Sequence, residues 1–382
     1  MANLDRIRVG LIGYGIGKVH VLALRNVNMY YEDLPPVELV AVATASEASG
    51  RQAIERFGFQ RHTTNYHDLL ASDDINTLVV AAPNYLHHEM LLAALQTDKA
   101  IYADKPLANT LAEARAIVAA ARQHGHDAQM AFSLRYNPAL RTARQLIQDG
   151  RLGAIYAFRA RYFRSSYSDP EKPLRWKASM AQSGGGVLND LVPHIADLVH
   201  WLIGVPSRLT AQVRTFIKER PVAKGKPEKV SIETDDHVII QAELPGGAIG
   251  TIESGRLITG SVNDITLEIF GSEGSIRWNQ MDTNYLYFAE RAAHAASPPL
   301  NGPAGWLQIP TVQDYPDALL PGADVPLGAT RFYIASLADF LRNTCQGRPY
   351  DPGLLQGLHA QAITEAALQA AHDHTWVDVA QA

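Results

Sequence analysis

The chain opens on a strand that runs straight into clustered glycines. Residues 8–13 read R-V-G-L-I-G, Gly13-Tyr14-Gly15-Ile16-Gly17-Lys18 follows, and a helical pattern then extends over 19–26. Glycines between a first strand and a first helix let backbone approach a pyrophosphate. The helix start adds N–H groups and the positive end of a dipole. A glycine trio alone also suits a tight turn, and its context decides. Residues 37–43, 77–82 and 100–103 read as further apolar strands, with helical patterns at 47–57, 84–96 and 111–124, and 127–132 closes the series. Strands alternating with helices, apolar on both faces, predict a parallel doubly wound sheet that binds a dinucleotide.

The pattern changes after residue 131. Residues 155–164, 209–217, 237–244, 248–256, 265–270 and 275–278 are consecutive strand candidates, separated by turns such as Pro245-Gly246-Gly247. Few helices intervene, which predicts a largely antiparallel sheet and a second domain of α+β type. Its chief helix is expected over 184–202, a long loop over 297–328, and two closing helices over 330–345 and 352–372. The fold class is therefore α/β, with a Rossmann domain over 1–131 and an α+β domain over 132–382.

Composition narrows the function. A length of 382 residues suits two domains. A net charge of −5 without a basic block argues against nucleic-acid binding. The richest apolar run, 78–83, has strand length, far short of the roughly 18–20 residues of a membrane helix. A single cysteine, Cys345, excludes an internal disulfide framework and a Cys-based zinc site. The start of the chain carries Asp5, Arg6 and Arg8 and does not read as a signal peptide. A cytoplasmic enzyme is expected. The pairs His124-Gly125-His126 and His372-Asp373-His374 fall at helix ends without a third ligand at metal spacing, so no metal is expected.

The glycine loop is one residue shorter than G-x-G-x-x-G, which leaves the role of Gly17 open. NAD-binding folds usually end strand two on an acidic residue that bonds the adenosine ribose. Here that position is Thr44, with neither Asp nor an adjacent Arg, so the choice between NAD and NADP is undecided. Arg51 either reaches a phosphate or lies on a solvated helix face. Gly13, Tyr14, Gly15, Ile16, Gly17 and Thr44 are the candidate cofactor residues of this half.

Three further segments are specific. They are Ala81-Ala82-Pro83-Asn84-Tyr85-Leu86-His87, Ala103-Asp104-Lys105-Pro106-Leu107-Ala108, and Gly184-Gly185-Gly186-Val187-Leu188-Asn189-Asp190 continuing to Pro193-His194 and Asp197. With V-G-L-I-G-Y-G, Val19-His20 and Gly271-Ser272-Glu273-Gly274, they resemble the glucose–fructose oxidoreductase / inositol dehydrogenase / MocA family along essentially the whole chain. The resemblance implies a Rossmann domain and an open-faced sheet domain for substrate binding and oligomerisation. It also implies oxidation or reduction of a secondary hydroxyl of a sugar or inositol with NAD or NADP. Homodimers or homotetramers through the open sheet face are expected.

Residue types agree with that chemistry. Lys105 ends a parallel strand, where such folds place ligands, and an ammonium there favours a developing alkoxide. The resemblance sets it beside the nicotinamide and the substrate hydroxyl. Asp104 stands where the family has Glu, one methylene longer, so its contact to the nicotinamide ribose is expected to shift. Asp190 and His194, four apart, would share one face of a helix. His194 then serves as general base, with Asp190 as its partner or as a substrate ligand. Pro193 starts or kinks that helix. Pro83 and Asn84 are expected at the cofactor, and His87 either contacts it or caps the helix. Arg135, Tyr136, Tyr162 and Trp176 are the substrate candidates, with Arg164, Tyr167 and Lys177 nearby; each also suits plain packing. Two other readings stand: a redox-elimination glycosidase that keeps its cofactor, and a non-catalytic sugar or nucleotide sensor.

Overall fold

The computed structural model describes residues 4–291, 305–312, 315, 318, 325, 326 and 328–380. They fall into two compact units. The first holds residues up to Tyr136 together with Gly328–Leu358, and the second holds 137–291, 305–312 and 359–380.

In the first unit six strands form a parallel sheet: β1 (Ile7–Ile12), β2 (Val37–Ala43), β3 (Arg61–Thr63), β4 (Thr77–Val80), β5 (Ala100–Ala103) and β6 (Gln129–Met130). Their order is β3-β2-β1-β4-β5-β6. The direction of winding reverses between β1 and β4, where open α/β sheets bind ligands. The helices are α1 (Gly17–Tyr30), α2 (Glu47–Phe57), α3 (His67–Leu70), α4 (Asn84–Ala94) and α5 (Leu111–His124). Their ends follow local chemistry. The Ser46 hydroxyl accepts the Ser49 N–H at the start of α2, Thr110 and Glu113 form a reciprocal capping box on α5, and Gly58 and Gly125 end these helices in the left-handed region. The short strand β3 carries exposed Arg61 and escaped the pattern reading because it has no apolar run.

The continuous N-terminal part of the first unit ends at Tyr136, but the unit is not built from that part alone. A helix from late in the chain, α10 (Thr330–Gln346), belongs to it. Its Ile334, Leu337, Phe340 and Leu341 share one core with Ile7, Val9, Leu11, Val21 and Leu24 of β1 and α1. Burial of apolar surface outweighs chain order here.

The second unit carries α6 (Pro138–Gln148), α7 (Met180–Ser183), α8 (Val187–Asp190) and α9 (Val192–Ile203). Its strands are β7 (Ile155–Phe163), β8 (Arg208–Arg214), β9 (Glu219–Pro221), β10 (Lys229–Ser231), β11 (His237–Glu243), β12 (Ile249–Gly255), β13 (Asp264–Gly271), β14 (Gly274–Asn279), β15 (Tyr285–Glu290), β16 (Leu307–Pro310) and β17 (Val377–Asp378). Nine of them form one sheet in the order β16-β15-β14-β13-β7-β12-β11-β8-β17. Only β7 and β12 run parallel. Along β7 the side chains alternate, with Phe158, Ala160 and Tyr162 buried and Arg159 and Arg161 exposed. The buried face packs beneath α9. The other face is open in the chain and carries charged pairs such as Arg277 with Glu268 at 2.9 Å.

Two expectations change here. The stretch 297–328 lies mostly outside the described residues, yet within it β16 pairs antiparallel with β15. The single helix expected over 184–202 is two. Gly184 and Gly185 take φ of +69° and +155°, so they form a loop, and Leu191 separates α8 from α9. Pro193 sits in the first turn of α9, where its missing N–H costs nothing.

Candidate active site

In the first unit, the candidate cofactor residues gather at the carboxyl ends of β1, β2, β4 and β5. The Gly13 N–H donates to Ala43 O at 2.9 Å and its φ is +97°. A Cβ at Gly13 would lie 2.4 Å from Ala81 O, so only glycine fits between the ends of β1 and β4. At Gly15 a Cβ would meet nothing within 4 Å, whereas at Gly17 it would press Leu11 at 3.1 Å. Gly17 thus fills the third-glycine role of close helix–strand packing, despite the shortened spacing. Tyr14 is buried edge-on against Phe57, with the Lys18 ammonium 4.4 Å from its ring centre, while Ile16 is exposed. These residues fit a dinucleotide: the space at Gly15 is open, and the first N–H groups of α1 have no acceptor within the helix.

Thr44 is buried, and its hydroxyl donates to Ser46 O at 2.8 Å. It closes the turn after β2. Arg51 is exposed beside Glu47 at 3.7 Å, the solvated-face reading. Pro83 precedes α4 and Asn84 is its first residue. His87 is fully buried, with Nε2 2.9 Å from Ala82 O and Nδ1 2.7 Å from Pro106 O. Burial pushes its imidazole below the usual range. His87 therefore fastens the end of β4 to the turn after β5; the expectation of a direct cofactor contact gives way to a positioning role.

Lys105 follows β5 and precedes Pro106 across a cis peptide. The neighbouring Asp104 is turned inward. Its Oδ1 accepts the Lys105 N–H at 2.8 Å, and its Oδ2 lies 3.6 Å from His20 Nε2, longer than a hydrogen bond. Burial pushes the Asp104 carboxyl up, but His20 and Lys105 outweigh it and hold the group below the ordinary value. The shorter side chain is thus committed to the protein rather than extended towards a ribose. His20 itself is buried between the rings of Tyr102 and Tyr333.

Two substrate candidates are spent on structure. Arg135 is buried and donates to Asp351 Oδ1 at 2.9 Å. The Tyr136 hydroxyl donates to Asp339 Oδ2 at 2.7 Å, and burial with that carboxylate holds the phenol well above its usual range. These bonds tie residues 135 and 136 to α10 and to the segment after it, and the sequence offered no sign of partners so distant.

In the second unit, the expected helical face joining Asp190 to His194 is interrupted. Asp190 closes α8, and His194 lies in the first turn of α9, its N–H bonded to Leu191 O at 3.2 Å. The His194 ring meets Tyr162 edge-on at 5.7 Å, and the Tyr162 hydroxyl donates to Asn263 Oδ1 at 2.7 Å. Asp190 Oδ2 accepts from Lys177 Nζ at 2.7 Å, with both side chains half-buried. Burial alone would lower the Lys177 ammonium; the Asp190 carboxylate more than compensates and raises it. Trp176 lies beside it, with Nζ 5.5 Å from its ring centre.

The sequence reading missed what holds this half together. Asp235 is buried and accepts the N–H groups of Gly186 (2.6 Å) and Leu188 (2.9 Å), capping α8 from across the unit. Desolvation raises its carboxyl. Beside it Asp236 forms a buried ion pair with Arg256 at 2.8 Å. The available signal was Glu233-Thr234-Asp235-Asp236, a polar run directly before a buried strand. Among the described residues, no group of three His, Cys, Asp or Glu is arranged to hold a metal ion, and no helix is long and apolar enough to cross a membrane.

A dinucleotide fold followed by an open-sheet domain, with Lys, Asp and His at these positions, defines a nicotinamide-dependent oxidoreductase. Residues 7–132 match the model of the oxidoreductase family with an NAD-binding Rossmann fold, and 140–277 match the GFO/IDH/MocA C-terminal domain. The chain belongs to the GFO/IDH/MocA oxidoreductase family. It is 31% identical to levoglucosan dehydrogenase of Pseudarthrobacter phenanthrenivorans, over 99% of each chain. Inositol 2-dehydrogenase of Acidothermus cellulolyticus is 25% identical, over 99% of this chain and 96% of that one. A solved structure of levoglucosan dehydrogenase with NADH and levoglucosan has a TM-score of 0.91 at 31% identity, covering 98% of this chain and all of that one. The protein is an oxidoreductase that transfers hydride between a CH–OH group and a nicotinamide cofactor.

Proposed function

We propose that the chain oxidises a secondary hydroxyl of a neutral sugar, anhydrosugar or cyclitol, with NAD as the acceptor. The observation that carries this reading is the end-to-end similarity to levoglucosan dehydrogenase. His194 removes the hydroxyl proton, and Lys105 stabilises the emerging alkoxide. Asp190 accepts a hydrogen bond from a substrate hydroxyl; its placement on a separate short helix and its bond to Lys177 favour this over a role as a simple His194 partner. Trp176 offers an apolar face to the ring carbons. The first unit binds the cofactor through the loop 13–17, Pro83 and Asn84, and the second unit binds the substrate. The nicotinamide, when bound, supplies the hydride acceptor.

The preference for NAD rests on Thr44, which has no adjacent Arg for a 2′-phosphate, and on the pairing of Arg51 with Glu47. Self-association through the open face of the nine-stranded sheet, as a homodimer or homotetramer, accords with exposed Tyr156, Ile239 and Ile249; light scattering gives the copy number. A cytoplasmic setting accords with the lone cysteine.

The deciding experiment is a screen of levoglucosan, other sugars and inositols with NAD and NADP in parallel, following nicotinamide absorbance. Oxidation of at least one polyol, faster with NAD, is the expected result. Product formation without net cofactor reduction would replace the reading with redox elimination, and cofactor binding without turnover on any polyol would favour a sensor. Gly13→Ala is expected to weaken NADH binding at least about tenfold, because a left-handed residue forced against Ala81 displaces the loop. Titration of NADH fluorescence measures this, and unchanged affinity would remove the loop from the cofactor site.

A further inference from the structure

The proposed chemistry gives Lys177 no role, yet several bonds of the second unit hold it in place. An ammonium carries three N–H donors. One goes to Asp190 Oδ2 at 2.7 Å, and among the described residues no protein acceptor takes the other two. The side chain is half-buried, so these donors point from a supported position rather than from a mobile surface stem.

The support is specific. The Thr234 hydroxyl donates to Lys177 O at 2.8 Å, and the Glu233 N–H donates to Ala178 O at 3.0 Å. The next residue, Asp235, caps the helix that carries Asp190. Asp236 anchors the segment through Arg256, whose guanidinium also reaches the Thr234 hydroxyl at 3.2 Å. Four consecutive residues therefore hold both partners of the ion pair. Two residues before Lys177, Arg175 takes φ of +54°, a conformation that costs energy for a side chain with a Cβ. An ion pair this far buried is weak evidence for stability, because desolvation offsets its attraction.

We propose that Lys177 is a specificity-determining residue that, with Asp190, binds two adjacent hydroxyls of a neutral polyol. The ammonium donates to one hydroxyl oxygen, and the carboxylate accepts the hydrogen of its neighbour. The pair offers one donor and one acceptor side by side, with the Arg164 guanidinium close enough to oppose the ammonium. The Trp176 ring, its centre 5.5 Å from Nζ, puts an apolar surface of the kind that packs sugar ring carbons beside the pair. This rests on the reading of Asp190 as a substrate ligand.

The test compares wild type and Lys177→Met on levoglucosan or myo-inositol, whichever the wild type oxidises better, and on the monodeoxy analogues of that polyol. Lys177→Met is expected to raise KM about tenfold or more, with kcat within about threefold, as loss of a hydrogen bond to a charged group does. On one deoxy analogue the same substitution is expected to cost less than about twofold, because the hydroxyl served by Lys177 is already gone. Lys177→Arg, which keeps a cation beside Asp190, is expected to fall between the two. An equal loss on every substrate would make Lys177 a support for Asp190 and overturn the proposal, as would no loss at all. If Lys177→Met does not fold, the same comparison with Lys177→Arg decides. Failure of the wild type to oxidise either polyol overturns both this inference and the functional reading beneath it; normal wild-type turnover with an indifferent Lys177 overturns this inference alone.

Discussion

Alanine at His194 will lower kcat roughly 10²–10⁴-fold, the range that a positioned general base contributes. Alanine at Lys105 will cost about 10²–10³-fold, as loss of one group that stabilises a developing oxyanion does. The two losses differ in their pH dependence. A base works only when unprotonated, so the acidic limb of the kcat/KM profile will disappear with His194→Ala and persist with Lys105→Ala. His194 is well placed for a fixed role: it sits in a proline-started first turn, and its ring rests on Tyr162, which Asn263 holds in turn. Steady-state rates on the best polyol of the screen, with thermal unfolding as a folding control, supply the measurement. Full turnover by either variant would remove that residue from the reaction.

Gly186→Ala will destabilise the protein by roughly 3 kcal/mol or more, the upper range for overpacking. A Cβ there would lie 1.8 Å from Asp235 O and 2.7 Å from its carbonyl carbon. Both atoms are backbone, so no side chain can swing aside. The Gly186 N–H also donates to the Asp235 carboxylate at 2.6 Å, and a shifted loop loses that bond as well. Because Asp235 caps the helix carrying Asp190, activity will fall even at temperatures where the variant is folded. Gly246→Ala, at a turn where an added Cβ meets nothing within 4 Å, will leave the midpoint almost unchanged. Thermal unfolding of the pair checks this, and equal midpoints would show that the close approach at Gly186 relaxes freely.

Much of the first unit was legible because its signals are local. Apolar runs of strand length, capped helices and left-handed glycines depend on neighbours a few residues away. The glycine loop and Lys105 at a strand end belong to the same class. Spacing places Asp190 and His194 on one face only if the helix over 184–202 is unbroken, and it is not. The glycine loop leaves α8 just four residues long, and Leu191 parts it from α9. The assignment of α10 to the first unit was illegible for a different reason: an apolar helix face shows that it is buried, never against what.

The amino-acid sequence by itself determined the class of protein and the parallel sheet with its dinucleotide loop, and it singled out Lys105, Asp190 and His194 as the candidates for the chemistry. Tertiary structure alone decided what those groups touch. Lys177 meets Asp190 across 13 residues, Asp235 caps Gly186 across 49, and Asp351 occupies Arg135 across 216. It also turned Asp104 inward towards His20. A buried charge must find a partner because desolvation penalises it. Which partner it finds depends on how distant segments pack, and local spacing carries no record of that.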